Sequence, residues 1–290
     1  MDKIIFVVIC ILIAFYFFIK YNVNTLETKE YIIQNEKIPK EFDGYSIVQV
    51  SDLHSKSFGK NNERLLKKIS ELKPEIVVIT GDLVDGENNN YDVALDFMAK
   101  LVESYRVYYI IGNHEQKSLI KKYKEEYKEM YFKRLHEMNF ANLDNAKVEI
   151  QRGSSVINLY GLTVPYSCYK YLFERGENTD IDRNFLVESL GNPDRNQYNI
   201  LLSHTPFYFE EYEKWGADLS LCGHVHGGII RLPFVGGLLS PNREFLPKYD
   251  LGEYVKNKST MIVSKGLGGS KVLIRINCKP EVVNIKLKHR

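Results

Sequence analysis

The sequence predicts an α/β fold of two sheets with helices outside them, preceded by a transmembrane helix. Three observations carry this reading. Strands and helices alternate from Gly44 onward, a second set of short buried strands follows Phe140, and residues 4–19 form an unbroken apolar run.

The run from Ile4 to Ile19 spans 16 residues between Lys3 and Lys20. As a helix it is about 24 Å long, short of a ~30 Å hydrocarbon core, and snorkelling lysines with Tyr21 extend it. No small-x-small site follows it, no lipobox-like set of small residues precedes Cys10, and no twin arginine occurs. The expectation is therefore an uncleaved single-pass anchor rather than a signal peptide. Lys3 and the amino terminus stand against Lys20, Lys29 and Lys37, which leaves the orientation open. Thr28 to Ile33 alternates as a strand, so Lys20 to Glu27 reads as a linker, roughly 25 Å when extended. The expected division is an anchor with its linker over residues 1–24 and a folded body over 25–290.

Tyr45 to Val50 is a buried-type strand, Asn61 to Leu72 has helical spacing at Leu65, Leu66, Ile69 and Leu72, and Ile76 to Thr80 is a second apolar strand. A helix over Val93 to Val102 and a strand over Val107 to Ile111 complete a βαβαβ pattern, which implies a largely parallel sheet. A charged helix over about Gln116 to Met138 follows, with Leu119, Tyr123, Tyr127, Met130 and Met138 expected as one buried stripe. Lys147 to Ile150, Val156 to Leu162, Ile200 to Leu202 and Leu219 to Cys222 read as short strands. So do Thr260 to Val263, Val272 to Ile276 and Glu281 to Leu287.

Composition excludes several classes. Lys and Arg exceed Asp and Glu by 39 − 37 = 2, and no basic stripe with interleaved aromatics occurs, so nucleic acid is not an expected partner. The four cysteines are too few and too irregular for a disulfide scaffold, and the lack of a CxxC pair argues against thiolate zinc and thioredoxin-like chemistry.

The chemistry lies at strand ends. Asp52 and His54 follow the first strand, Gly81-Asp82-Leu83-Val84-Asp85 the second, and Gly112-Asn113-His114-Glu115 the third. Ser203-His204 and Gly223-His224-Val225-His226 end two strands of the second set. Carboxyl ends of parallel strands are where open α/β sheets place their sites. Any one of these motifs alone reads as a turn. Together they hold five of the seven histidines, leaving only His136 and His289 elsewhere.

In this order, the five blocks resemble the calcineurin-like metallophosphoesterase superfamily over about Gly44 to the chain end. Ser51 to His54, Gly223 to Gly228 and Gly266 to Gly268 resemble its bacterial membrane-associated or exported members. The resemblance implies a two-sheet sandwich flanked by helices, with residues 25–290 as the catalytic domain on the extracytoplasmic side. It implies one metal site of Asp52, His54, Asp82 and His226 and a second of Asp82, Asn113, His204 and His224, bridged by Asp82. Carboxylate, amide oxygen and imidazole suit two divalent ions such as Mn, Zn or Fe. Such a pair clamps the oxygens of an in-line displacement at phosphorus. The resemblance makes His114 the general acid at the leaving oxygen and Asp85 the carboxylate that orients it. Serine/threonine protein phosphatases of the superfamily carry an arginine directly after that aspartate. Here Gly86 stands there, which argues against protein phosphatase activity.

The expected function is hydrolysis of a phosphodiester, phosphomonoester or pyrophosphate. A membrane-tethered scaffold without turnover and a nuclease are the alternatives, and the complete ligand set argues against the scaffold. Leu232 to Leu239, a Pro- and Gly-punctuated apolar loop, and the aromatics Tyr166, Tyr169, Tyr171 and Phe173 suggest a lipid-linked substrate held near the bilayer.

Overall fold

The central strands are apolar on both faces, so the chain builds stacked layers rather than one half-solvated sheet. The structure, a computed structural model, describes residues 2–85, 91–120, 125–169, 180–228, 230–232, 234–238, 245–269 and 274–290. Helix α1 (Asp2–Asn24) leads into β1 (Glu27–Asn35), β2 (Ser46–Val50), α2 (Glu63–Glu71), β3 (Ile76–Thr80) and α3 (Asp92–Ser104). Then come β4 (Arg106–Ile110), α4 (Asn113–Ile120), α5 (Glu125–His136), β5 (Ala141–Asn142), β6 (Ala146–Arg152) and β7 (Ser155–Leu162). The rest holds α6 (Arg183–Leu190), β8 (Asn199–Ser203), α7 (Phe209–Trp215) and β9 (Leu219–Cys222). It ends with β10 (Arg231–Leu232), β11 (Gly236–Gly237), β12 (Gly252–Lys256), β13 (Ser259–Val263) and β14 (Glu281–His289).

One sheet runs β1-β14-β2-β3-β4-β5 and the other β12-β13-β9-β8-β7-β6. The strands β2 to β5 are parallel, as are β7, β8, β9 and β13. Alternation sorts the side chains between layers. Ile47, Ile76, Val78, Ile200, Leu202, Leu219 and Leu221 fill the core between the sheets. Val48, Val50, Val77 and Ile79 turn the other way, onto Leu65 and Ile69 of α2 and Leu95, Met98 and Leu101 of α3. On the far side Leu201 and Met261 pack with Leu186 of α6 and Phe209, Tyr212 and Trp215 of α7. The result is helices, sheet, sheet, helices.

Three elements differ from the sequence expectation. The helix α1 continues to Asn24, so the eight-residue linker shrinks to Thr25 and Leu26. Its last turn is docked on the body: Asn22 and Val23 are buried, Lys56 donates to the Val23 carbonyl, and Arg64 donates to Asn24 O at 2.9 Å. The charged helix expected over 116–138 begins at Asn113 as α4 and is resumed by α5 from Glu125. Of its expected buried stripe, Leu119 and Met130 are exposed and Met138 is half-buried, while Tyr123 and the Tyr127 side chain lie outside the described residues. Of the strand expected over Val272 to Ile276, residues 272 and 273 also lie outside them, and Ile276 makes a single bridge to Ile230.

Candidate metal centre

The two sheets meet with their carboxyl ends at one rim, and every expected ligand sits there. Asp52 and His54 follow β2, Asp82 follows β3, and Asn113 opens α4 after β4. From the second sheet, His204 follows β8, and His224 and His226 follow β9. Each turn reverses so sharply that Asp52, His54, Asp82, His224 and His226 take φ between 48° and 71°, a region that L residues avoid. Such strain persists where the surrounding structure over-determines it, typically at functional sites. Glycines permit the approach of β3 to β4. A Cβ on Gly81 would lie 2.7 Å from the Gly112 Cα and from His204 Nδ1.

The side chains converge in two groups. Asp52, His54 and His226 bring their ligating atoms within 4.8 Å of one another, as do Asp82, His204 and His224. His204 Nε2 lies 3.1 Å from Asp82 Oδ2 and 3.0 Å from Asn113 Oδ1. Asp82 Oδ2 is also 3.7 Å from His54 Nε2, so this carboxylate stands between the groups. His114 forms a third group with His54 and Asp82 at the same spacing.

The donor set fits divalent cations. His54 Nε2 and His226 Nε2 face each other at 3.2 Å, and His54 Nδ1 is buried without a hydrogen-bond partner among the described residues. Two nitrogens and the Asp52 carboxylate pointed at one buried locus are a poor hydrogen-bond network and a good chelate.

The residues around the ligands fix their orientation. Ser51 Oγ donates to Asp52 Oδ2 at 2.5 Å, and the His224 N–H donates to both Asp52 oxygens at 3.1 Å. The His114 N–H donates to Asp82 Oδ1 at 2.8 Å. His204 Nδ1 lies 2.6 Å from the Thr80 carbonyl, so Nε2 is the nitrogen that offers a lone pair once the ring is neutral. Burial pushes Asp52 up to about 6. Burial also opposes a charged His204, yet the adjacent Asp82 carboxylate overcomes it and raises the ring to about 10, while Asp82 itself is held well below the usual carboxylate range. Burial and then His114 push His54 down to about 3.

His114 Nδ1 stands 3.4 Å from Asp85 Oδ1, both largely buried. Burial works against the charged ring, and the Asp82 and Asp85 carboxylates reverse that and raise it. Gly86 lies outside the described residues, as do Tyr171 and Phe173.

Sequence reasoning passed over Glu115, Arg275 and Phe207, and gave Tyr169 a different place, in an aromatic segment near the bilayer. Glu115 closes its motif yet was given no role. Its buried carboxylate accepts from Asp82 N at 3.0 Å, Leu83 N at 2.7 Å and Gly112 N at 2.9 Å, tying the second and third motif loops together. Burial, then the Asp82 charge, pushes it up to about 7. Arg275 belongs to no motif. It is buried and donates to the carbonyls of Gly268, Cys278 and Lys265, which pins the Gly266 to Gly268 turn over Asp52. Tyr169 and Phe207 face His224 edge-on, with ring centroids 5.0 and 5.9 Å away, and wall the second group.

Comparison with known proteins bears on this geometry. The family model described as Calcineurin-like phosphoesterase matches residues 45–228. The metallophosphoesterase YkuE of Bacillus subtilis is 27% identical over 279 residues, covering 91% of this chain and 86% of that protein. A metallophosphoesterase of Aquifex aeolicus is 30% identical over 273 residues, covering 91% and 92%. The phosphodiesterase YaeI of Escherichia coli is 34% identical over 88 residues, 30% of this chain and 32% of that one.

Proposed function

The chain belongs to the calcineurin-like phosphoesterase family and is thereby a metal-dependent phosphoester hydrolase, and from that premise we propose that residues 25–290 form a catalytic body held at a membrane to cleave a lipid-linked phosphodiester or pyrophosphate. The observation that carries the membrane part is the junction of helix and site. Lys56, two residues past His54, donates to the Val23 carbonyl in the last turn of α1, a helix long and apolar enough to cross a bilayer. A site so close to the helix end meets substrates whose head groups lie at the bilayer surface. The phosphodiesterase YaeI favours a diester among the candidate bonds.

We assign one ion to Asp52, His54, Asp82 and His226 and the other to Asp82, Asn113, His204 and His224. Bound there, divalent ions such as Mn, Zn or Fe supply Lewis acidity toward the phosphoryl oxygens and lower the pKa of a water. The protein's own work is positional. Ser51 and the His224 amide hold Asp52, Thr80 fixes the His204 tautomer, and Glu115 keeps the Asp82 and Asn113 loops in register. His114 gives its proton to the leaving oxygen, and Asp85 at its Nδ1 leaves Nε2 as the donor. Tyr169 and Phe207 exclude water beside His224.

The test compares one head group with and without its acyl chains on the full chain in detergent. The proposal expects the acylated form to be cleaved with much higher kcat/KM, since chain burial contributes about 0.8 kcal/mol per CH₂. Equal values for both forms would leave a phosphoesterase whose helix only fixes its location.

A further inference from the structure

Outside α1, ten large hydrophobic side chains are exposed among the described residues, and five of them form one lobe: Leu232, Phe234, Val235, Phe245 and Leu246. The β10–β11 hairpin makes its stem, through Arg231 opposite Gly237 and Leu232 opposite Gly236. Leu246 N donates to Leu238 O at 3.1 Å and lays the third segment beside it. At the tip, Phe234 takes a left-handed φ of 65° and is 109% exposed, so its ring touches nothing in the body. A phenyl ring displayed on a strained turn gains nothing for the fold. Contiguous apolar patches of this kind mark contact surfaces.

The lobe is rooted between the candidate metal centre and the end of α1. Arg231 Nη1 donates to Gly227 O at 3.2 Å, one residue past His226. Ile230 bridges Ile276, and Arg231 N donates to Ile276 O at 3.0 Å. Three residues later, Lys279 Nζ lies 4.8 Å from the Tyr21 ring of α1. That stretch spans at most about 11 Å, so the root of the lobe and the end of the helix share one side of the body. The charges there are compatible with lipid. Asp250 is paired with Arg231 at 2.6 Å, and Glu27 with Lys265 and Lys279 at 3.1 Å each. No carboxylate of this set meets a bilayer without a cation beside it.

We propose that this lobe is a second membrane contact, inserting Phe234 and its apolar neighbours into the outer acyl region beside α1. The docked last turn of α1 holds the body at one point, and its tilt angle to the bilayer depends on what else touches lipid. A second contact fixes that angle and turns the rim that carries His54 and His226 toward the head groups. Side chains of this type bury to about 5–10 Å at the boundary of head group and acyl chain. The inference rests on the membrane anchoring proposed above, though not on the substrate.

The experiment reads fluorescence, without catalysis. The full chain has one tryptophan, Trp215, which is fully buried in the body and serves as the baseline. Full-length Phe234→Trp and Val235→Trp are placed in phosphatidylcholine vesicles with brominated acyl chains, and flotation confirms that α1 holds the protein there. The proposal expects the added emission to be blue-shifted and lost to bromines near the carbonyl end more than to bromines near the methyl end. Emission from both variants that keeps its aqueous maximum and escapes quenching overturns it. Protein that fails to float overturns the anchoring as well, whereas quenching without any acyl preference in hydrolysis removes only the lipid substrate.

Discussion

His54 and His226 turn their Nε2 atoms toward one another at 3.2 Å, with Asp52 Oδ1 at 3.9 Å from the first and 3.6 Å from the second. Burial pushes both rings down, His54 to about 3 and His226 well below its ordinary value, so both are neutral at physiological pH. Neutral imidazoles whose nitrogens face one another next to a carboxylate are stabilised by a shared cation. The mirror case is Asp82 with His204, where the carboxylate is close enough to hold a proton on the ring. A cation would displace that proton, so metal uptake should release acid.

Removing His114 should slow turnover while leaving bound metal unchanged. The expected loss for His114→Ala is roughly 10²–10⁴-fold, the usual scale of lost acid catalysis. It should be larger for alkyl phosphodiesters than for nitrophenyl ones, because nitrophenolate departs without a proton. Equal losses for both would assign His114 to phosphate binding. Asp85→Asn should shift the same comparison in the same direction by less, as its carboxylate acts through His114 at 3.4 Å.

Glu115→Gln should destabilise the body. The carboxylate accepts from Asp82, Leu83 and Gly112, and an amide puts its own N–H groups against one side of that set. Unsatisfied buried donors cost about 1–3 kcal/mol. The melting temperature should fall and metal affinity should weaken, because the Asp82 and Asn113 loops lose their common tie. An unchanged melting temperature with full metal affinity would show that the tie is dispensable.

The full chain should remain in the membrane pellet after salt and carbonate washing. An apolar helix in the bilayer is not released by screening charges. Release by carbonate, or a mature protein that starts beyond the apolar run, would remove α1 as the anchor.

The residues gathered at the rim were legible because strand ends confine them: an apolar run of five or so residues announces where the next polar residues must emerge. The alternation of Ile47 against Val48 likewise carried the layered fold, since both faces of each strand had to be covered. Other features depend on partners distant in sequence. β1 pairs in parallel with β14 over nine positions, from Glu27 with Glu281 to Asn35 with His289, and nothing local foretells that closure. Arg275 is one arginine among many until its carbonyl partners surround it. The helices α6 and α7, of eight and seven residues, are too short for a clear period. The end of α1 was misjudged because Asn22 and Asn24 look like linker. In the structure each side chain donates back to the helix, to Phe18 O and Lys20 O at 2.9 Å.

Asp82→Asn tests the central claim most directly, because both assigned ion sites depend on that one carboxylate. The measurement is metal content by mass spectrometry on the purified full chain, beside hydrolysis of a chromogenic diester and a circular dichroism spectrum. A neutral amide cannot bridge two cations as a carboxylate does. The account predicts a folded protein that has lost most of its metal, from both sites together, and hydrolyses the diester at close to the background rate. A folded variant with the native metal content and the native rate would contradict it.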